Sequence, residues 1–174
     1  MYLSRRDLAV RVGELGAEIS ADYLDSDLLL VTVLRGAVIF VSDLSRAVTT
    51  PHALEFVALA GYGGRLGGRA NVRLLKDLDV PISARDVLVI EDVVDTGLTL
   101  NYLLKTLALR SPNSLGVCTL LDRPYRRLVD DLPIRYVGFT VPDEFFVGYG
   151  FDLDQRYRGL PDIHVARLPA DAAA

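Results

Sequence analysis

Apolar positions along the chain alternate between a helical and an extended period. Leu8, Val12, Leu15 and Ile19 recur at spacings of three and four, which predicts an amphipathic helix over residues 8–19. Residues 28–34 form a nearly unbroken apolar run, as expected of a strand covered on both faces. A second helical period over residues 36–46 turns Val38, Ile39, Val41 and Leu44 inward. Residues 52–60 predict a strand that ends in a glycine-rich stretch, residues 61–69, expected to be a mobile loop, with a short strand at 72–75 returning from it. A buried strand at 87–90, a leucine-rich helix at 98–109 and another strand at 115–121 follow. Short β segments at 136–141 and 145–149 surround Pro142-Asp143. Apolar strands separated by helices predict the α/β class, a mainly parallel sheet flanked by helices.

Composition narrows the function classes. The 174 residues fit one domain with a substantial core. Hydrophobic residues at 51% against 24% charged exclude a disordered polyelectrolyte. A net charge of -4 offers no global attraction for nucleic acid or an anionic membrane, so any anion must be held locally. Arg35 and Gly36 interrupt the longest apolar stretch, which falls short of the roughly 18 residues of a membrane span. No apolar signal core follows Arg5 and Arg6, so a soluble, cytoplasmic protein is expected. The single Cys118, in an apolar run, reads as a core residue of a reducing compartment. Basic residues are skewed, with seventeen arginines and only two lysines, Lys76 and Lys105.

Candidate chemistry concentrates between residues 87 and 100. Four apolar residues run into Glu91 and Asp92, two further apolar residues follow, and Asp95-Thr96-Gly97-Leu98-Thr99 opens a helix. A loop at the carboxyl end of a buried parallel strand lies where α/β proteins bind ligands. Backbone N–H groups of residues 95–99, the hydroxyls of Thr96 and Thr99 and the helix N-terminus suit a phosphate, and Gly97 admits it closely. Glu91 and Asp92, adjacent on extended chain, diverge and suit two different partners, such as ribose hydroxyls and a Mg²⁺ shell. The plain alternative is a helix capped by Asp95 or Thr96, with two solvated acids.

This stretch resembles the phosphoribosyl-pyrophosphate (PRPP) binding motif of the type I phosphoribosyltransferases. Three other motifs are similar, in order, to the hypoxanthine-guanine branch of that family. Val33-Leu-Arg-Gly-Ala-Val-Ile-Phe40 resembles its first loop, Leu121-Asp-Arg-Pro124 its purine-facing turn, and residues 136–152 its hood. The resemblance implies a single domain over residues 1–174. Its core would span roughly residues 20–121, under a small hood of short β segments built from the N-terminal segment and roughly residues 122–168.

The implied activity is purine salvage: a purine nitrogen displaces pyrophosphate from C1′ of PRPP, giving a nucleoside monophosphate in a Mg²⁺-dependent reaction. By the same resemblance, Asp95, Thr96, Gly97, Leu98 and Thr99 cradle the 5′-phosphate, and Asp95 is the general base near purine N7. Glu91 and Asp92 hold ribose hydroxyls and the metal shell, with Asp152 a direct Mg²⁺ ligand beside the purine. Arg35, Gly36, Tyr62 and Arg158 meet pyrophosphate, Arg127 being a weaker candidate, and Tyr62 closes with the glycine-rich loop. Arg123, Phe145 and Phe146 take the 6-oxopurine, by a cation, a ring stack and a backbone carbonyl respectively. Neither nucleic acid nor membrane is an expected partner, and a homodimer or homotetramer is expected. His52 and His164 match no motif, and Tyr149 and Tyr157 read as hood packing.

Three positions depart from the family pattern. Arg35 replaces a lysine, in a loop whose resemblance predicts a non-proline cis bond between Leu34 and Arg35. Arg123 replaces the lysine that reads the 6-oxo group. A guanidinium can meet O6 and N7 together, an acceptor pair that adenine lacks, while the ranking of hypoxanthine, guanine and xanthine stays open. Gly61 replaces a serine before Tyr62. The alternatives are a xanthine-preferring transferase, a non-catalytic PRPP-sensing regulator that binds nucleic acid or a partner, and a structural module with residual motifs.

Overall fold

Ser4 starts the first helix, α1 (Arg5–Asp22), through a capping box: its hydroxyl accepts from Asp7 N at 3.2 Å while the Asp7 carboxylate accepts from Ser4 N at 3.1 Å. In the computed structural model, which describes residues 1–62 and 71–167, Leu8, Val12, Leu15 and Ile19 of this helix are all buried, as their spacing predicts. The elements that follow are β1 (Leu28–Leu34), α2 (Val38–Ala47), β2 (His52–Tyr62), β3 (Asn71–Lys76), β4 (Asp86–Val94), α3 (Leu98–Ala108), β5 (Ser114–Asp122) and β6 (Ile134–Thr140). A short pair, β7 (Phe146–Val147) and β8 (His164–Val165), completes the chain after a 3₁₀ turn at Pro124–Arg126. The glycine-rich stretch beyond Tyr62 lies outside the described residues, as does the predicted loop closure.

Six strands form one sheet in the order β3-β2-β1-β4-β5-β6, all neighbours parallel except the β2–β3 pair. Alternate residues of the apolar strands serve two cores. Leu28, Leu30, Leu88, Ile90, Cys118 and Leu120 pack under α1 and α2. Leu29, Val31, Val87, Val89 and Val117 pack under α3, whose Leu100, Leu103, Leu104 and Leu107 cover them. Burial on both faces is why these segments read as continuous apolar runs. Chain order reverses between β1 and β4, so a crevice opens at the carboxyl ends of those two strands, the switch point where such sheets take ligands.

Several details differ from the sequence reading: α1 is longer than residues 8–19, β4 runs on to Val94, and β8 is unexpected. Helix α2 starts at Val38, not Gly36, because residues 35–37 form a turn in which Val38 N meets Arg35 O at 3.3 Å. Val38 is consequently exposed at the helix start, and Phe40 takes the inward place beside Val41 and Leu44. The sheet also runs past residue 121: β6 pairs in parallel with β5 and belongs to the core sheet, not to the hood. The cap above the crevice is built instead from β7, β8 and the N-terminal segment. Leu3 bridges Ile163, and the Tyr2 ring lies 4.9 Å from that of Phe146. The Leu34–Arg35 peptide bond is cis, as the resemblance predicts. No described helix is long and apolar enough to cross a membrane.

Candidate active site

Strand β4 carries Glu91 and Asp92 to the crevice on opposite faces of the sheet. Glu91 lies on the side of α3, where it lines an open cleft of about 170 Å³ with Val33, Asp95, Thr96, Gly97 and Thr99. Burial pushes its carboxyl well above the ordinary carboxylate range, and the neighbouring Asp92 adds to the rise. Asp92 points to the other face. Burial pushes it up to about 6, against backbone N–H groups and the Arg158 guanidinium, which favour its charge. The β1–α2 turn fits closely under it: a Cβ on Gly36 would sit 1.6 Å from Asp92 Oδ2, and one on Gly150 would sit 1.9 Å from Gly36 O. Gly36 is therefore required by close approach, and the hood rests directly on the turn that holds Arg35.

Residues 95–97 join β4 to α3, the strand–loop–helix order that the sequence predicts. Gly97, in the left-handed region at φ 80°, is the N-cap of α3, and neither Asp95 nor Thr96 caps it. Thr96 Oγ1 accepts from Leu98 N at a long 3.4 Å. Thr99 and Leu98 are exposed on the first turn, so the helix N-terminus opens toward solvent and the cleft. Beneath the loop, Arg127 packs its aliphatic stem toward Gly97 and pairs with Asp122, while its buried Nη1 has no partner.

Asp95 is bracketed by the basic turn that follows β5. Its Oδ1 stands 2.9 Å from Arg126 Nε, an ion pair whose approach angle gives no hydrogen bond, and its Oδ2 is 3.8 Å from Arg123 Nη1. Arg123 also donates to Glu144 O and lies over the buried Phe146 ring, 5.4 Å from its centroid. Arg126 reaches the same segment by an ion pair of 2.8 Å with Asp143. Phe145, next along, is 44% exposed and open to an incoming ring.

On the hood side, Asp152 is not free to act as an isolated ligand. It pairs with Arg158 at 2.6 Å and accepts from Gln155 N at 2.8 Å. Arg158 further donates to Gly150 O at 2.7 Å and to Gln155 Oε1 at 3.1 Å, and Arg35 donates to that same Oε1 at 3.0 Å. Of Tyr62 only the backbone is placed, paired with Asn71 at the end of the β2–β3 ladder. Of the remaining residues, His52 bonds Ser45 and the Thr50 carbonyl, Tyr149 donates to Asp43, and burial pushes the Cys118 thiol up, whereas Tyr157, expected as hood packing, is exposed.

Sequence reasoning thus missed Arg126, Asp143 and Gln155. Arg126 had a signal in the basic cluster 123–127, but its carboxylate partners are invisible in linear order.

The three carboxylates expected around a metal do not close into a nest: among the described residues no three His, Cys, Asp or Glu side chains converge on one point. The donor set still fits Mg²⁺. That ion is commonly held by one or two carboxylates together with substrate phosphates and water, and two acids with raised pKa values stand at the end of β4, Glu91 on the cleft and Asp92 on the opposite face.

Comparison with known proteins bears on what this arrangement does. A family model described as a phosphoribosyl transferase domain matches residues 1–154. The chain is 51% identical over 166 residues to a hypoxanthine-guanine phosphoribosyltransferase of Mycobacterium avium, covering 92% of this chain and 81% of that protein. It is 47% identical over 163 residues to a hypoxanthine phosphoribosyltransferase of Salmonella typhimurium, covering 92% and 91%. Among solved structures, a hypoxanthine-guanine phosphoribosyltransferase of Bacillus anthracis superposes with a TM-score of 0.91 at 40% identity, covering 96% of this chain and 98% of that one.

Proposed function

The chain belongs to the phosphoribosyltransferase family, and from that premise we propose that its crevice transfers the 5-phosphoribosyl group of PRPP to hypoxanthine or guanine, giving a nucleoside monophosphate and pyrophosphate. The observation that carries the reading is a convergence at the β1–β4 switch point. The Asp95–Thr99 loop follows β4, the Arg35–Gly36 turn follows the neighbouring β1 and lies against Asp92 and Gly150, and Gln155 links Arg35 to Arg158 of the hood, and the chemistry needs three such parts.

The 5′-phosphate takes the cradle, where backbone N–H groups, the Thr96 and Thr99 hydroxyls and the α3 N-terminus supply donors to an anion. Glu91 and Asp92 accept from the ribose hydroxyls and fix C1′. The transition state carries positive charge on the ribose and negative charge on the departing pyrophosphate, so positioning and electrostatics do most of the work. Arg35 and Arg158 meet the pyrophosphate oxygens as planar donors. Asp92 or Asp152 would hold Mg²⁺ together with substrate oxygens, and the ion would add positive charge beside that leaving group.

The purine lies between Phe145 and the ribose. Arg123 donates to O6, which an adenine 6-amino group would oppose. The Asp95 carboxylate, at the mouth of the cradle, accepts the purine proton as the new bond forms, an effect of about 10²–10⁴-fold for a general base. Assembly as a homodimer or homotetramer and a cytoplasmic location complete the reading.

Nucleotide formation from PRPP and Mg²⁺, with hypoxanthine, guanine, xanthine and adenine offered separately, tests it. Turnover of hypoxanthine and guanine with adenine inert is expected. Xanthine as the best base would reassign the specificity, and no turnover with any base despite PRPP binding would overturn the enzymatic reading.

A further inference from the structure

We infer that Gln155 is a positioning residue for the leaving pyrophosphate. Its single amide oxygen holds the guanidinium groups of Arg35 and Arg158 at the spacing a phosphoryl oxygen needs. Arg35 Nη1 lies 3.0 Å and Arg158 Nη2 3.1 Å from Gln155 Oε1, so two donors from opposite ends of the chain point at one acceptor. Guanidinium groups carry donors only and repel each other, and a neutral acceptor between them keeps both aimed at the same place. Arg35 rises from the turn after β1, whereas Arg158 is anchored in the hood by Gly150 O and Asp152. Gln155 is the tie between the two walls of the leaving-group pocket.

The backbone at this position argues independently for a side-chain role. Leu153 and Arg156 exchange both N–H···O bonds, at 3.1 and 3.0 Å, around a two-residue turn. The two central residues, Asp154 and Gln155, both have positive φ, 51° and 62°, the conformation that favours Asn-Gly or Gly-Gly at such turns. Glycine would satisfy the turn with less strain than glutamine. A glutamine kept where the backbone favours glycine, with its N–H tied to Asp152 and its oxygen on two arginines, is explained by the contacts its side chain makes.

The inference deepens the proposed transferase reading and rests on it. The test is calorimetric binding of pyrophosphate with Mg²⁺ to the full chain and to Gln155→Gly, alongside thermal unfolding and the KM values for PRPP and hypoxanthine. Gln155→Gly is expected to unfold at the same or a higher temperature, because it relieves the turn. It is also expected to bind pyrophosphate about fivefold more weakly, the scale of one hydrogen bond. KM for PRPP should rise with it and KM for hypoxanthine should not. Gln155→Met, which matches the length but lacks the acceptor, should lose pyrophosphate affinity equally. In an Arg35→Gln background the Gln155 substitution should add little, since the tie is already cut. Unchanged pyrophosphate affinity in Gln155→Gly would overturn the positioning role and leave the transferase reading intact. Tighter binding would also overturn it, by making Gln155 a competitor of the leaving group. A wild-type chain that binds no pyrophosphate would remove the transferase reading itself.

Discussion

Asp92 shows how a single carboxylate can oppose stability and serve binding at once. Gly36 lies under it, Arg158 lies nearby, and burial raises its pKa to about 6. A carboxyl whose folded value is raised favours the fold while protonated, so the free protein gains stability from this group in acid and loses it as the pH rises through about 6. Ligand binding runs the other way, because ribose hydroxyls and a hydrated dication call for the carboxylate. The kcat/KM for PRPP, which reports ionisations of the free enzyme, is therefore expected to fall by about tenfold per pH unit below a midpoint near 6. Asp92→Asn should lower the plateau and shift the limb, because Glu91, also raised by burial, carries what remains of it, and an unchanged midpoint in the variant would assign the titration to Glu91. Arg126, Asp143 and Gln155 belong to this scale too. Each acts through one partner far away in sequence, and no periodicity marks such a pairing.

At the scale of elements, the segment 142–146 is held by two arginines of the preceding basic turn: Arg123 bonds the Glu144 carbonyl and Arg126 pairs with Asp143. Arg126 touches Asp95 as well, so the segment carrying Phe145, proposed to stack on the purine, is tethered to the loop proposed to hold the phosphate. Asp143→Asn cuts that tether without touching Asp95. We expect KM for hypoxanthine to rise about two- to fivefold with kcat and KM for PRPP unchanged, a modest effect because the pair is exposed. Equal changes in both KM values would show that Asp143 does not act on the base-binding segment alone. Most elements, though not their bounds, were legible because the strands are buried on both faces and the helices on one. Helix α1 was legible for the same reason, whereas the start of α2 was not, since a three-residue turn shifted its phase and exchanged Val38 for Phe40. Strand β6 had the right composition, but its place in the parallel sheet depends on pairing with β5, which a local pattern does not encode. The strand, loop and helix around the proposed cradle read clearly because they are contiguous, whereas the pairing of Asp152 with Arg158 did not show in the sequence.

Over the whole molecule, the two ends of the described chain meet above the crevice. Leu3 exchanges backbone bonds with Ile163, Arg5 N donates to Asp162 at 2.7 Å, and Tyr2 packs on Phe146. The residues that would shape the purine pocket are thus supported from behind by a segment more than a hundred residues away, while the proposed phosphate cradle is supported by α3, β4 and the segment 123–132, which sends Leu128 N to Thr96 O at 2.9 Å. This division predicts that a change at the amino-terminal end reaches one substrate and not the other. Tyr2→Ala removes a ring from the back of Phe146, a contact worth about 0.5–1.5 kcal/mol for an aromatic pair. The expected outcome is a slightly lower unfolding temperature, a higher KM for the purine and an unchanged KM for PRPP. If both KM values moved together, hood and cradle would form one cooperative unit, and the base-binding side would not be separable from the phosphate-binding side.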